Sequence, residues 1–427
     1  MSTASKRFAL KGNIVYSKEL SCMEIWEQSY VVCEDGISVG VFKELPQKYQ
    51  DYEVIDCENQ LIIPGLVDLH IHAPQYTFLG LNMDMELLEW LNTNTFPEES
   101  KYHDLDYAKK AYTIFADSMK KGATTRACVF ATIHNPATYL LMDLMEESGL
   151  RTLIGKVNMD RNSPDILIER SAEQSIEDTL KWLINTAGKY KNVKPILTPR
   201  FIPSCTDDLM KQLRDIQIQY QLPLQSHLSE NPGEVQWVKE LCPQSEFYGD
   251  AYDRFELFGN HGKTVMAHCV YSDENEQKRM LERGVYAAHC PVSNSNLSSG
   301  IAPVRKFLNQ GIRVGLGTDV GGGSTVSVFK VMVHAIQVSK LRWRLVDNTD
   351  QPLTIDEAFY LATKGGGAFF GDVGSFEAGF EFDALVLDDQ NLNVSQNLSV
   401  KERLEKLIYL SDDKHISRKY VAGKQII

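Results

Sequence analysis

Two hydrophobic patterns alternate along this chain, one typical of β-strands and one typical of amphipathic helices. Short apolar runs rich in β-branched residues, which are typical of buried strands, occur at residues 62–72, 124–133, 151–159, 193–203, 222–228, 264–270, 285–291 and 313–319. Amphipathic segments that predict helices occur at residues 104–121, 136–149, 171–188, 206–220, 273–283 and 324–342. Eight strand–helix repeats in roughly 310 residues predict an α/β fold, a (β/α)₈ TIM barrel at residues 64–372.

The two chain ends have the pattern of a separate β unit. Residues 8–60 contain short strand segments broken by turns, and the Asp35-Gly36 pair is typical of a tight hairpin. Short apolar runs and turns return after about residue 372, at 384–388 and 420–427. We therefore expect one small β-sandwich domain beside the barrel, built from residues 1–63 and 373–427 together.

Histidine and aspartate side chains lie at the ends of four predicted strands. The first strand ends in His70 and His72, which period-two alternation places on the same face. The fifth strand ends in His227, the sixth in His268 and the eighth in Asp319. Because the active site of such a barrel lies at the carboxyl ends of its strands, these side chains should meet. Histidines with a carboxylate are the ligands of a hydrolytic Zn²⁺ or Fe²⁺ site, which predicts a metal-dependent hydrolase.

The same residues resemble a known family. Two histidines on the first strand, one each on the fifth and sixth, and an aspartate on the eighth resemble the amidohydrolase superfamily, and the resemblance covers nearly the whole chain. The finer motifs, at residues 64–76, 88–97, 155–160, 199–201, 226–230, 289–294 and 317–322, are similar to those of its guanine deaminases. The resemblance implies hydrolysis of guanine to xanthine and ammonia in purine catabolism or salvage.

The resemblance also implies roles for individual residues. Four of them would hold one Zn²⁺ per chain, with Fe²⁺ as the alternative: His70, His72, His227 and Asp319. Asp319 would accept a proton from the attacking water and pass it to the leaving amine. Glu230, three residues after His227, would protonate the purine ring, and burial should raise its pKa. His268 would orient the nucleophile and stabilise negative charge.

One metal ion is expected rather than two. Related enzymes with two metals bridge them by a lysine at the end of the fourth strand, where this chain has Arg200. Lys156 on the third strand is left as an alternative bridging residue.

Further residues are expected to contact the substrate, together with His227 and Asp319. Gln75 can donate and accept at a purine edge, and Arg200 offers donors to the carbonyl oxygen that guanine has and adenine lacks. Adenine would leave Arg200 unpaired, at a cost of roughly several kcal/mol. Trp90 and Phe201 either stack on the ring or belong to the core.

Composition and charge limit the kinds of partner and the cellular location that we expect for this protein. The net charge is −13 and no basic block occurs, which argues against binding to nucleic acid or to an anionic membrane. The eight cysteines are scattered singly and the first residues lack the apolar segment of a signal peptide, so we expect reduced thiols and a cytoplasmic protein. A homodimer is the expectation from the resemblance.

Other residues and other functions were weighed. His289 is expected to make a hydrogen bond behind the site, and the remaining histidines are expected at the surface or in packing: His103, His134, His261, His334 and His415. Gly262-Lys263-Thr264 lacks the earlier glycine of a phosphate loop. Two alternatives stay open: a mononuclear deaminase or chlorohydrolase acting on another heterocycle, and an inactive scaffold.

Overall fold

The computed structural model describes residues 7–392, 396–411 and 413–427. Its strands, in chain order, are β1 Arg7–Glu19, β2 Cys22–Glu34, β3 Ile37–Phe42, β4 Glu53–Pro64, β5 Leu66–His72, β6 Thr124–Phe130, β7 Arg151–Gly155, β8 Val157–Asn158, β9 Val193–Pro195, β10 Thr198–Pro199, β11 Leu224–Leu228, β12 Thr264–His268, β13 Tyr286–His289, β14 Arg313–Leu316, β15 Ala384–Leu387, β16 Ile416–Val421 and β17 Lys424–Gln425.

The helices alternate with the middle strands. They are α1 Leu87–Trp90, α2 Phe96–Ser100, α3 Leu105–Lys121, α4 Asn135–Ser148, α5 Ala172–Thr186, α6 Asp207–Tyr220, α7 Pro232–Leu241, α8 Tyr248–Asp253, α9 Glu274–Arg283, α10 Pro291–Asn296, α11 Val304–Gln310, α12 Val328–Leu345, α13 Ile355–Tyr360 and α14 Val400–Leu410. The six predicted helices correspond to α3, α4, α5, α6, α9 and α12. No helix in the described part of the chain is both long and apolar enough to span a membrane.

Strands from both chain ends form one seven-stranded sheet, in the order β17-β16-β15-β4-β1-β2-β3. β2 and β3 are antiparallel, and Asp35 (φ 53°) and Gly36 (φ 85°) connect them. Positive φ at both turn residues is the requirement of the tight hairpin that the Asp-Gly pair predicted. The expectation that the two ends build a common β unit agrees with this sheet.

Two parallel four-stranded sheets make up the middle of the chain, β5-β6-β7-β9 and β11-β12-β13-β14. Backbone hydrogen bonds join them on both sides. On one side the amide of Gln225 donates to the carbonyl of Leu197 at 2.9 Å, and on the other side the amide of Asp319 donates to the carbonyl of His70 at 2.8 Å. The carboxyl ends of strands from both sheets therefore meet over a common space. The fold is α/β.

The first predicted strand, residues 62–72, was wrong as a single element. It is divided at Gly65, because β4 ends at Pro64 in the seven-stranded sheet and β5 begins at Leu66 in the parallel sheet. A Cβ atom on Gly65 would lie 2.3 Å from side-chain atoms of Thr125. Only glycine allows the chain to pass this closely from one sheet to the other.

A buried ion pair ties the two parts of the fold together. Arg126 on β6 donates from Nε to Oδ2 of Asp383 at 2.7 Å and from Nη2 to Oδ1 at 3.2 Å. The Asp383 side chain is fully buried next to β15 of the seven-stranded sheet. We expect Arg126→Met to lower the free energy of unfolding by about 3–5 kcal/mol, because it leaves a buried carboxylate without its cation. Denaturant unfolding measures this change.

Lys11→Met serves as the matched control for Arg126→Met. Lys11 forms an ion pair with Asp56 at 2.9 Å, but on the surface of the same sheet. Water and salt screen such a pair, so the unfolding midpoint of this variant should not move measurably. Equal losses in the two variants would contradict the role given to burial.

Candidate active site

Four side chains predicted to bind a metal ion converge at the carboxyl ends of β5, β11 and β14. Nε2 of His72 lies 3.2 Å from Nε2 of His70 and 3.2 Å from Nε2 of His227. Oδ1 of Asp319 lies 3.1 Å from Nε2 of His70 and 3.4 Å from Nε2 of His72. His70 and His72 leave β5 on the same face, as the period-two spacing predicted. The structure therefore brings together the predicted ligand set.

The three imidazoles are neutral in this environment. Burial is the first cause that lowers the pKa of His70, His72 and His227 below the ordinary histidine range. Nδ1 of His227 lies 2.6 Å from the backbone carbonyl of Arg200, which can only accept, so Nδ1 carries the proton and the Nε2 lone pair faces the cluster.

This donor set fits a divalent metal ion. Lone pairs of neutral imidazoles and a carboxylate oxygen repel one another at such distances unless a cation lies among them. Among the described residues, three overlapping groups of donors each lie within 4.8 Å: His70, His227 and His268; His70, His72 and Asp319; and Glu230, His268 and Asp319. Nitrogen and oxygen donors of this kind suit Zn²⁺ or Fe²⁺.

Asp68 lies below the cluster and was not singled out from the sequence. Its carboxylate accepts hydrogen bonds from the amide of His70 at 3.1 Å, from the amide of Thr318 at 3.0 Å and from the hydroxyl of Thr318 at 2.5 Å. Burial raises the pKa of Asp68 to about 6, opposed by the hydrogen bonds from Thr318. Asp68 thus fixes the strand that carries His70 against the segment that carries Asp319. An acidic residue in the otherwise apolar run 61–69 was the signal available in the sequence.

Glu230 and Asp319 are two carboxyl groups with opposite protonation. Burial raises the pKa of Glu230 well above its ordinary value, and the negative charges of Asp319 and Glu234 raise it further. Burial would also raise the pKa of Asp319, but His70, His268 and His72 hold it well below the ordinary range. The environment therefore favours the protonated form of Glu230 and the ionised form of Asp319. Such a pair can donate a proton at one point and accept one at another.

His268 lies between these carboxyl groups. Its Nε2 is 3.3 Å from Oε2 of Glu230 and 3.7 Å from Oδ2 of Asp319. Its Nδ1 lies 2.8 Å from Oδ1 of Asn294, an acceptor that fixes the ring orientation and was not predicted from the sequence. The backbone φ of His268 is 74° and that of Asp319 is 46°, in the left-handed region that residues with a Cβ adopt uncommonly.

Glu234 fixes the backbone of Glu230 and was also missed. At the start of α7 its carboxylate accepts from the amide of Glu230 at 2.9 Å and from the hydroxyl of Tyr248 at 2.7 Å. Glu234 is the third residue of α7 and forms a capping box with Asn231, a pattern that can be read from the sequence Asn-Pro-Gly-Glu.

These side chains line one pocket, and the empty space among them, part of it open to solvent, is about 410 Å³. Small-molecule sites are usually lined by apolar side chains with a few polar groups. The lining residues are His72, Gln75, Leu87, Trp90, Leu91, Arg200, Phe201, His227, Glu230, Glu234, His268, Leu297 and Asp319. His70 lies at the cluster but is not among them. The structure therefore gathers every predicted site residue at or beside this pocket.

Two pocket aromatics occupy different positions. The ring of Trp90 packs edge-on against Phe78, with centroids 5.6 Å apart, and its indole N–H has no partner within the described part of the chain. Phe201 packs edge-on against Trp237 with centroids 6.1 Å apart. Both rings line the pocket, and the Trp90 N–H is a donor that a ligand can use.

The expectation of an Arg200 without a protein partner was wrong. Nη1 of Arg200 donates to Oε2 of Glu99 at 2.5 Å, and Nη2 donates to Oε1 at 3.1 Å. Glu99 lies on α2, in the long connection that follows β5. Its carboxylate compensates the arginine charge whether or not a ligand is present, so the penalty assigned to adenine is smaller than expected.

The other residues weighed from the sequence lie outside the pocket. Nζ of Lys156 donates to Glu169, so its amine has an internal partner. His289 is buried, and burial lowers its pKa to about 3, but its Nδ1 has no hydrogen-bond partner among the described residues. His261 forms an exposed pair with Glu256, whereas burial lowers the pKa of His134 to about 4. None of the eight cysteines, which all lie within the described residues, forms a disulfide bond.

Comparison with known proteins identifies the class to which this fold and site belong. The model of the Amidohydrolase family matches residues 61–426, and the chain belongs to this family.

Within the family the chain is similar over its full length to guanine deaminases. The guanine deaminase of Dictyostelium discoideum is 38% identical, with 100% of both chains covered. That of Mus musculus is 38% identical, covering 98% of this chain and 96% of the relative. The crystal structure of guanine deaminase from C. acetobutylicum with bound guanine in the active site is 48% identical, with a TM-score of 0.96 over 99% of this chain and 100% of that chain.

Proposed function

We propose that this protein is a guanine deaminase, which hydrolyses guanine to xanthine and ammonia. The observation that carries the proposal is a pocket in which the carboxyl groups of Glu230 and Asp319 lie beside His268 and the converging imidazoles. The chain that presents this pocket is 48% identical to a guanine deaminase whose active site contains guanine. Purine catabolism or salvage follows from that reaction.

We propose that one Zn²⁺ per chain, or Fe²⁺ in its place, is held by His70, His72, His227 and Asp319. When bound, such an ion lowers the pKa of a water molecule towards ~7 and so supplies a nucleophile at neutral pH. The protein fixes the geometry of this site. Asp68 holds the backbone of His70, and the carbonyl of Arg200 holds the ring of His227.

The protein residues then handle the protons. Asp319 accepts a proton from the attacking water, while Glu230 donates its proton to the ring nitrogen beside the carbon that carries the amine. The new bond joins the water oxygen to that carbon. His268, oriented by Asn294, orients the attacking water and stabilises the negative charge that develops on its oxygen. Asp319 passes its proton to the amine, and the C–N bond breaks as the new hydroxyl becomes a carbonyl and returns its proton to Glu230. Ammonia and xanthine leave, and both carboxyl groups are back in their starting forms.

Ammonia release from guanine by the metal-loaded protein is the direct test. Adenine, cytosine, 8-azaguanine and S-adenosylhomocysteine provide the comparison, and bound metal is counted in the same samples. Turnover of guanine but not of adenine or cytosine is expected. Turnover of another heterocycle without guanine would overturn the substrate assignment but keep the hydrolase. Absence of both turnover and bound metal would favour a scaffold.

Arg200 is proposed to donate to the carbonyl oxygen of guanine, and Gln75 is proposed to bind the purine edge. We expect Arg200→Met to lower kcat/KM for guanine by about 100-fold, the loss of one hydrogen bond from a charged donor. Bound metal should remain at one ion per chain, because the backbone carbonyl that orients His227 is retained. Steady-state kinetics and metal analysis measure both. Loss of metal in this variant would contradict the assignment.

The proposal extends to the architecture. Hydrogen bonds on both sides of the two parallel sheets support a closed (β/α)₈ barrel at residues 64–372. The seven-stranded sheet supports a β-sandwich domain from residues 1–63 and 373–427. We propose a cytoplasmic homodimer, which light scattering tests for its oligomeric state.

A further inference from the structure

Glu99 joins two of the proposed substrate-binding residues from outside the barrel strands. It lies on the short helix α2 and is almost completely buried. Its two carboxylate oxygens accept from the two terminal nitrogens of Arg200 at 2.5 and 3.1 Å. This bidentate geometry fixes both the rotation and the tilt of a guanidinium group.

The same carboxylate also holds Gln75. Nε2 of Gln75 donates to Oε1 of Glu99 at 2.9 Å, and Oε1 of Gln75 accepts from the amide of Gly321 at 3.0 Å. A continuous chain of hydrogen bonds therefore runs from Gly321, two residues after Asp319, through Gln75 and Glu99 to Arg200. It connects the segment after β14 with the segment after β10 across the pocket.

The bonds to Glu99 leave other donors of Arg200 free. A guanidinium group has five N–H donors, and the two bonds to Glu99 use one on each terminal nitrogen. The ring of Phe96, on the same helix, lies 5.1 Å from the guanidinium carbon and covers one of its faces. Arg200 and Gln75 both line the pocket, so their remaining polar atoms are available to a ligand.

We infer that Glu99 is a specificity-determining positioning residue, which holds Arg200 in the geometry that binds the carbonyl oxygen of a purine. The inference rests on the proposed function. Glu99 does not touch the reacting atoms, so it acts through Arg200. A pre-positioned and charge-compensated donor gains selectivity because little side-chain freedom is lost when the ligand binds.

Glu99→Gln tests the inference because the two side chains have nearly the same shape. One carboxylate oxygen becomes an amide that cannot accept from Arg200. We expect kcat/KM for guanine to fall about 10-fold. For 2-aminopurine, which lacks the carbonyl oxygen of guanine, kcat/KM should change less than about 2-fold, since the interaction with that oxygen is absent. Guanine should show the loss mainly in KM, with bound metal unchanged.

A double-mutant cycle separates positioning from a general structural effect. In the Arg200→Met background, Glu99→Gln should lower kcat/KM for guanine less than about 2-fold, because the residue through which Glu99 acts is gone. Equal losses for guanine and 2-aminopurine, or an undiminished loss in the Arg200→Met background, would overturn the inference.

Glu98→Gln is the matched control from the same helix. Glu98 accepts from the hydroxyl of Thr77 at 2.7 Å and from Lys101 at 2.6 Å, and it does not line the pocket. Its substitution should leave the ratio of the two substrates unchanged, and an equal shift would overturn the assignment to Glu99. The two proposals fail differently: wild-type protein that releases no ammonia from guanine refutes the function, whereas active wild-type protein with an equally active Glu99→Gln variant refutes only the inference.

Discussion

Glu230→Gln is expected to lower kcat for guanine by about 10²- to 10⁴-fold, the contribution of a positioned general acid. Glutamine keeps the shape of the side chain but cannot donate a proton to the purine ring. Bound metal should stay at one ion per chain, since Glu230 is outside the proposed ligand set. Ammonia release and metal analysis on the same preparation measure the two effects.

The pH dependence gives a second test of Glu230. Its folded-state pKa is raised, by burial first and by the charges of Asp319 and Glu234 next, so the proton is retained through neutral pH. Because the protonated form is the active one, kcat/KM should decline as the pH rises through this raised pKa. The wild-type profile measures that decline. A profile that falls instead only on the acidic side would contradict the general-acid role.

Glu276→Gln is the control for both measurements. Glu276 is a buried glutamate on α9 whose pKa burial also raises. Its carboxylate accepts from the hydroxyl of Ser229 at 2.9 Å and from the amide of Gly249 at 2.6 Å, and it does not line the pocket. Glutamine keeps one oxygen to accept from the amide of Gly249, and its NH2 group can donate to the hydroxyl of Ser229, so kcat should be close to that of the wild type. A loss as large as that of Glu230→Gln would show that burial of charge, not proton donation, explains the effect.

The convergence of the candidate metal ligands could be predicted because it depends on local periodicity and on the order of the elements. In a strand, residues two apart share a face, so His70 and His72 were placed together without knowledge of any contact. The strand-end positions of His227, His268 and Asp319 needed only the order of the elements. Buried apolar runs define that order strongly, which is why the predicted helices α3 to α6 also agree closely with the structure.

Which glutamate of α2 supports the site could not be predicted because the answer depends on long-range packing. Glu98 and Glu99 are adjacent on α2, so they point in different directions, one towards Thr77 and Lys101 and the other towards Arg200. Nothing in Pro97-Glu-Glu-Ser100 indicates which carboxylate faces the pocket. That choice is made by the path of the connection between residues 73 and 103. The expectation of an unpaired Arg200 failed for this reason.

His72→Ala is expected to abolish metal binding together with activity. Nε2 of His72 lies at the centre of the donor cluster, within 3.2–3.4 Å of His70, His227 and Asp319. Loss of a residue that only supports a ligand typically lowers metal affinity by about 10- to 100-fold. Removing one of the four proposed ligands should have a larger effect, roughly 1,000-fold or more. Metal analysis after dialysis should find less than about one ion in ten chains. Guanine turnover should fall with the metal content.

Thermal unfolding provides a measurement of the same site that does not depend on turnover. A ligand that binds only the folded protein raises its stability by RT ln(1 + [L]/Kd), so Zn²⁺ should raise the Tm of metal-free wild-type protein and leave that of His72→Ala almost unchanged. His134→Asn is the control, because His134 is another largely buried histidine but does not line the pocket. This variant should keep both the bound ion and the Tm shift. If His72→Ala kept one ion per chain with the wild-type Tm shift, the metal would be held by another set of donors, such as the group that includes His268 and Glu230.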